Sequence, residues 1–244
     1  MNLVLLAAGT GSRLGNKTKL IPKALIEVNN KKLIEYSLTL FKGQNFIKNI
    51  IVVTGFCGED VYNHINKLNI NNLIRVHNPN YLKGNLYSLL CAKDHFGDGF
   101  IILNVDHIYP KKFLNYFEKT PLEISALCDF DRPLSDDDMK VKLNSLRQID
   151  SISKKLSNFD GGYIGCTIVP ENKVATYLSA VDKTLVEYGE NAVVENVLQT
   201  IVRNESNVHI LDTSGMKWLE VDTPEDLAFA NQKLMASPSF IYTL

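Results

Sequence analysis

The sequence predicts an α/β fold: a mixed, mainly parallel sheet with helices on both faces and a small antiparallel insertion. Three observations predict it. Short apolar runs of strand length alternate with segments of helical spacing as far as Val105. The first run leads directly into a glycine-rich loop. After Leu122 the rhythm breaks into shorter strands before helices return. Alternation of this kind implies right-handed crossovers and a Rossmann-like sheet covered on both faces.

Taken in order, Asn2–Ala8 is a continuous apolar run of the buried parallel-strand type. Lys31–Phe41 shows helical spacing, with Leu33, Ile34, Ser37, Leu38 and Phe41 on one face. Asn49–Thr54 is a second buried strand, ended by Gly55. Glu59–Leu68 reads as a helix with Val61, Ile65 and Leu68 inward. Leu73–His77 is a third strand, stopped by Asn78-Pro79. Asn85–His95 is a helix and Phe100–Val105 a fourth strand. Leu122–Asp129 is a further strand, and Asp131 to Asp138 a polar loop. Lys140–Ile149, Ile152–Leu156 and Gly162–Val169 read as antiparallel strands. Helices follow at Glu171–Val181 and Ala192–Arg203. Val208–Leu211 and Lys217–Val221 are expected to close the sheet, and Pro224–Leu234 is the last helix. The tail from Ala236 ends in Phe-Ile-Tyr-Thr-Leu, which reads as a frayed end or as a contact in a homodimer.

The 244 residues suit one domain, 1–244, with a ligand-binding half at 1–120, a sheet-completing half at 121–221 and a C-terminal helix and tail at 222–244. A formal net charge of −1 gives no global attraction to nucleic acid or to an anionic membrane. Cys57, Cys91, Cys128 and Cys166 are far apart and read as buried reduced thiols. No apolar run approaches the ~18 residues that span a bilayer. Leu3–Ala8 is too short for a signal segment, so a cytoplasmic location without membrane insertion is expected.

Three constellations could carry chemistry. The loop after the first strand holds Gly9, Gly11, Arg13 and Gly15, then Pro22-Lys23. Glycines let backbone amides approach an anion, and Arg13 and Lys23 supply fixed charge for a polyphosphate. A plain turn would need the glycines but not the two cations. The dinucleotide fingerprint is absent, because Arg13 and Leu14 follow Ser12, and no Gly-Lys-Ser/Thr marks a P-loop. Asp106, in Asn104-Val105-Asp106-His107, lies just past the fourth strand and can hold a hard cation; capping a turn is its bland alternative. Asp222 lies between a strand end and a helix start built from Thr223 as N-cap, Pro224 and Asp226. Glu225 and Asp226 have a sufficient structural role there. His107 is a packed residue or a neighbour of the metal site, and Asp136-Asp137-Asp138 a solvated loop.

These residues resemble the nucleotidyltransferases of the sugar-1-phosphate and CDP-alcohol group. Leu6-Ala7-Ala8-Gly9-Thr10-Gly11-Ser12-Arg13-Leu14-Gly15 with Pro22-Lys23-Ala24-Leu25 is similar to their signature. The segment 78–90 is similar to the base-lining segment of the cytidylyltransferase branch. The stretches 100–109 and 218–226 look most like the inositol-1-phosphate cytidylyltransferases, as do 138–141, 152–154 and 160–163. Val105 stands where that branch has Gly, and Asp160-Gly161-Gly162 where it has Asp-Thr-Gly.

The resemblance implies transfer of CMP from CTP to a small phosphorylated alcohol, with inositol 1-phosphate first and phosphocholine, a phosphonate or a sugar 1-phosphate behind it. The product would be a CDP-alcohol, a phospholipid precursor. It also implies Mg²⁺ on Asp106 and Asp222, with Arg13 and Lys23 as catalytic cations. Leu6 through Arg13, Lys23, Asn85 and Ser88 would hold the nucleotide, and Lys140, Lys154, Asp160 and Glu195 the acceptor. Two rivals are weaker. A nucleotide-sugar glycosyltransferase would carry Asp-x-Asp, where this chain has Asn104-Val105-Asp106. A non-catalytic nucleotide binder would have lost Lys23, Asp106 or Asp222.

Overall fold

The computed structural model describes residues 1–204 and 206–236. The tail from 237 to 244, read above as a frayed end or a dimer contact, lies outside them. The elements run in the order β1 (Asn2–Ala7), β2 (Glu27–Val28), β3 (Lys31–Lys32), α1 (Leu33–Phe41), β4 (Ile50–Thr54), α2 (Gly58–Ile65), β5 (Leu73–His77), α3 (Asn85–Cys91), β6 (Phe100–Asn104), β7 (His107–Ile108), β8 (Ser125–Asp129), β9 (Lys140–Leu143), β10 (Ile149–Ser153), β11 (Gly161–Val169), α4 (Val174–Tyr188), α5 (Val194–Arg203), β12 (His209–Asp212), β13 (Leu219–Glu220) and α6 (Pro224–Ala236).

Among the described residues one large sheet has the order β10-β9-β11-β6-β1-β4-β5, with β8 on β11 and β12 on β8. β1 is parallel to both β4 and β6, so each of its residues is buried and it is apolar throughout apart from Asn2. The expected switch to antiparallel pairing occurs at β11, which runs against β6, β8 and β9. Helices cover both faces. Val4, Leu6, Leu89, Tyr177, Val197 and Ile201 belong to one core, and Leu3, Leu5, Leu38, Phe41, Phe113 and Trp218 to the other. All four cysteines are free; Cys128 and Cys166 are buried as expected, whereas Cys57 and Cys91 are only half-buried. No helix among the described residues is long and apolar enough to cross a membrane.

Several boundaries differ from expectation. Lys31 and Lys32 do not begin a helix; they pair with Glu27 and Val28 around Asn29 and Asn30, both left-handed (φ 46° and 63°), the conformation of a tight hairpin turn. α4 continues past Val181 to Tyr188 and stops at Gly189 (φ 54°). Two stretches of 3₁₀ helix, Ser12–Thr18 and Lys111–Phe117, had no signal in the apolar pattern.

The main correction concerns 217–221, which does not close the sheet. Leu219–Glu220 pairs instead with His107–Ile108 as a separate antiparallel ribbon, and Val221 N donates to Asp106 O at 2.9 Å. That ribbon decides the site. It ties the turn after β6 to the strand before α6, and so carries Asp222 to Asp106.

Candidate active site

The loop after β1 is shaped by Gly11, whose φ of +70° is in the left-handed region that favours glycine. A Cβ there would also lie 2.9 Å from both Lys23 Cβ and Thr18 Cγ2. Thr18 Oγ1 donates back to Gly11 O at 2.7 Å, and Leu14 N to the same oxygen at 2.9 Å. Lys23 follows Pro22 (φ −64°, ψ 148°) and is buried, its stem passing beneath Gly11. The loop thus wraps over one lysine and projects Arg13 from its rim.

The two aspartates meet at that lysine. Lys23 Nζ donates to Asp106 Oδ2 at 2.6 Å and to Asp222 Oδ1, and Arg13 Nη2 lies 2.6 Å from Asp222 Oδ2. Asp222 is held by its helix. Asp226 accepts from Thr223 N at 2.9 Å and from Asp222 N at 3.2 Å, while Thr223 Oγ1 accepts from Asp226 N at 3.1 Å. This is the expected reciprocal cap. Thr223→Ala should cost about 1 kcal/mol of stability. The loss is read as a lower urea midpoint at unchanged slope; an unmoved midpoint would mean that the cap contributes nothing.

Sequence reasoning missed Glu220. It is two residues before Asp222, so strand alternation places both on one side. Carboxylate oxygens of Asp106, Glu220 and Asp222 lie within 4.8 Å of one another. Burial would raise the Asp106 carboxyl, but Lys23 and His107 outweigh it and hold the group well below the usual carboxylate range. Burial would lower the Lys23 ammonium, and the same two aspartates raise it. Glu220 is pushed up by burial, and further by Asp106 and Asp222. His107 Nδ1 lies 2.8 Å from Asp106 Oδ1, but neither atom meets hydrogen-bond geometry. His107 is packed between Tyr109 and Trp218, with ring centroids 5.8 and 5.0 Å away.

A cleft of about 650 Å³ opens at the carboxyl ends of β1 and β6, where open α/β sheets bind ligands. Leu6, Ala8 through Arg13, Lys23, Asn85, Ser88, Asp106, Lys154, Glu195 and Asp222 all line it. Ala7 does not: alternation turns it into the core. Ser88 is buried and accepts from Asn78 Nδ2 at 2.9 Å. Glu195 has no ion pair among the described residues, and burial raises its carboxyl. Lys154 reaches Asp137 at 3.7 Å. Arg132, also unforeseen, lies over the Trp218 ring at 4.4 Å and within 3.7 Å of Glu220.

Two expected acceptor ligands are elsewhere. Lys140 is buried, and its Nζ donates to Lys154 O at 3.1 Å, so it supports the strand end that carries Lys154. Asp160 accepts from Lys142 Nζ at 2.9 Å and from Leu143 N at 2.8 Å. Both have spent their charge on their own ribbon, and neither lines the cleft. The aspartate run 136–138 is a loop, as expected: Asp138 Oδ2 accepts from Ser135 N at 2.6 Å, and Asp137 is 3.7 Å from Arg13.

Residues 3–120 match the family model of the MobA-like NTP transferase domain. The chain is similar to the CTP:phosphoglutamine cytidylyltransferase of Campylobacter jejuni, at 28% identity over 96% of this chain and 100% of that protein. It is 29% identical to the bifunctional IPC transferase and DIPP synthase of Archaeoglobus fulgidus, over 97% of this chain but only 44% of that protein. In fold it matches the inositol-1-phosphate CTP transferase of T. maritima with a TM-score of 0.81 and 22% identity, covering 96% of this chain and 94% of that one. The chain is thus a homologue of nucleotidyltransferases, with their fold, and an enzyme of that class, as its signature loop led us to expect.

Proposed function

We propose that this chain transfers CMP from CTP to a small phosphate monoester, with release of pyrophosphate. The observation that carries this reading is Lys23 clasped between Asp106 and Asp222 under a glycine-rich loop. The donor set fits Mg²⁺: three clustered carboxylates offer only oxygen, and Asp106 Oδ1 has no hydrogen-bond partner. Asp106 and Asp222 would hold the ion, with Glu220 beside them. When bound, it would supply a template and a charge clamp for the triphosphate.

The rest follows from the chain's own groups. The loop 8–13 receives the triphosphate. An oxygen of the acceptor phosphate attacks the α-phosphorus in line; the new P–O bond forms as the bond to the β-phosphate breaks, and pyrophosphate leaves with that electron pair. Lys23 and Arg13 stabilise the charge that develops, and their fixed positions spare reorganisation. No side chain need act as base, because a phosphate monoester is largely dianionic at neutral pH.

Inositol 1-phosphate is the first acceptor, supported by the stretches 100–109 and 218–226. The unpaired Glu195 favours a second reading, in which the acceptor carries an amine or amide, since a carboxylate shut into a cleft needs a donor. The test crosses four nucleoside triphosphates with inositol 1-phosphate, phosphocholine, 2-aminoethylphosphonate and glucose 1-phosphate, and reads pyrophosphate. Release with CTP and inositol 1-phosphate is expected. Release with another base would overturn the cytidylyl assignment, and release only with an amine-bearing acceptor would replace inositol.

A further inference from the structure

We infer that Asn85 couples the two parts of the cleft. Its side-chain carbonyl holds the start of α5, its NH₂ is left for the nucleotide, and a bound nucleotide therefore fixes the wall that carries Glu195. The inference rests on the cytidylyltransferase reading.

The first turn of any helix begins with amides that lack an internal partner. In α5 the amide of Val194 finds one far away in sequence: it donates to Asn85 Oδ1 at 2.9 Å. Asn85 lines the cleft, and its NH₂ makes no hydrogen bond among the described residues. With one lone pair of the oxygen used, the NH₂ is the part of Asn85 left wholly for a ligand, and it can only donate. The next residue of α5 is Glu195, which also lines the cleft.

This bond is one stitch of a seam. Gly84 N donates to Glu190 O at 2.7 Å and Leu86 N to Ala192 O at 3.3 Å. Lys83 pairs with Glu190 at 3.0 Å, and Tyr87 Oη donates to Gly189 O at 3.4 Å. The approach is so close that a Cβ on Gly84 would fall 2.0 Å from Ala192 O and 2.7 Å from its carbonyl carbon. These are backbone atoms that cannot swing aside. Residues 83–87 and 189–194 therefore move together. Along α5, Val194, Val197, Leu198 and Ile201 are all anchored in one core, so the bond to Val194 N sets the position of Glu195, the first-turn residue that faces the cleft.

The carboxamide is planar. A ligand that accepts from its NH₂ fixes the plane and with it the direction of the oxygen that holds Val194. The coupling runs both ways: the acceptor, by ordering α5, tightens the nucleotide by the same factor.

Two variants separate the functions of one side chain. Asn85→Asp keeps an acceptor for Val194 N, at a helix start that favours negative charge, and loses the donor. Asn85→Ala loses both. CTP binding should weaken in each, by about tenfold for one lost hydrogen bond in a desolvated site. The acceptor KM at saturating CTP, measured with the acceptor that releases pyrophosphate in the crossed assay, should rise only in Asn85→Ala. Amide hydrogen exchange gives a readout independent of turnover: CTP should slow exchange across 189–197 in the wild type and in neither variant, because Asn85→Asp keeps the bond to Val194 but has lost the donor that ties it to the nucleotide. An unchanged acceptor KM in Asn85→Ala, or no slowing across 189–197 in a wild type saturated with CTP, would overturn the coupling and leave the cytidylyltransferase reading intact. A wild type that binds no CTP would fail that reading first and take the coupling with it.

Discussion

Asp106→Asn and Asp222→Asn should each lower turnover with CTP by about 10³-fold, the several kcal/mol of charge stabilisation that a metal clamp supplies, while the fold survives. Asparagine keeps the shape of the residue and one oxygen for Lys23, so packing is preserved. The electrostatics also favour survival. Three carboxylates share one region, compensated by Lys23, Arg13 and His107 and, at Glu220, by Arg132. Removing one negative charge leaves Lys23 paired with the other aspartate and relieves Glu220, which both aspartates push up after burial has done so. A carboxylate cluster built to hold a cation is a local cost that function maintains. Pyrophosphate release and the urea midpoint, measured on the same preparations, check both halves. Near-normal turnover in either variant would remove that residue from the proposed metal site.

The sequence made much of this legible, and the parts it hid have physical reasons. β1 was readable because a strand paired on both sides in a covered sheet is apolar along its whole length. The loop was readable because glycines and two cations at close spacing have few structural uses. Asp106 and Asp222 could each be named, but their meeting could not. It depends on a ribbon of two residues against two, too short to leave a period in the sequence. The expectation that 217–221 would close the sheet failed for that reason. Glu220 was within reach, since its two-residue offset from Asp222 implied a shared side.

Lys140 and Asp160 mark the opposite case. Charge in a sequence does not say whether it faces a ligand or a neighbour, and both residues face neighbours. Asn85 was read as a nucleotide contact, and it does line the cleft. Its bond to Val194 joins residues 109 apart, a separation at which only the folded chain brings them together.

Lys23→Met should be the more damaging substitution for the free protein. Methionine keeps most of the buried stem and removes the charge. Asp106 and Asp222 then face each other with Arg13, half exposed, as the remaining guanidinium. Breaking a buried ion pair from one side costs about 3–5 kcal/mol, so the variant should melt well below the wild type in EDTA at neutral pH. The Asp106 contribution to the pH dependence should also change sign. In the wild type the Asp106 carboxyl is held below its unfolded value, so its contribution is present above that value and is lost only as pH falls through the lowered one. Without Lys23, burial and the neighbouring carboxylates raise the group instead. A raised carboxyl contributes stability below its unfolded value and loses it as pH rises. The variant should therefore gain more stability between pH 7 and pH 5 than the wild type, in which Glu220 and Glu195 are raised but Asp106 is not. Mg²⁺ should raise the melting temperature of the variant more than that of the wild type, because the ion binds the folded carboxylates with no lysine to displace. Turnover should still fall about 10²–10³-fold, since the charge that Lys23 supplies to the departing pyrophosphate is not replaced. A Lys23→Met protein as stable as the wild type in EDTA, or one that Mg²⁺ does not stabilise further, would show that the lysine is not the counter-ion of the two aspartates.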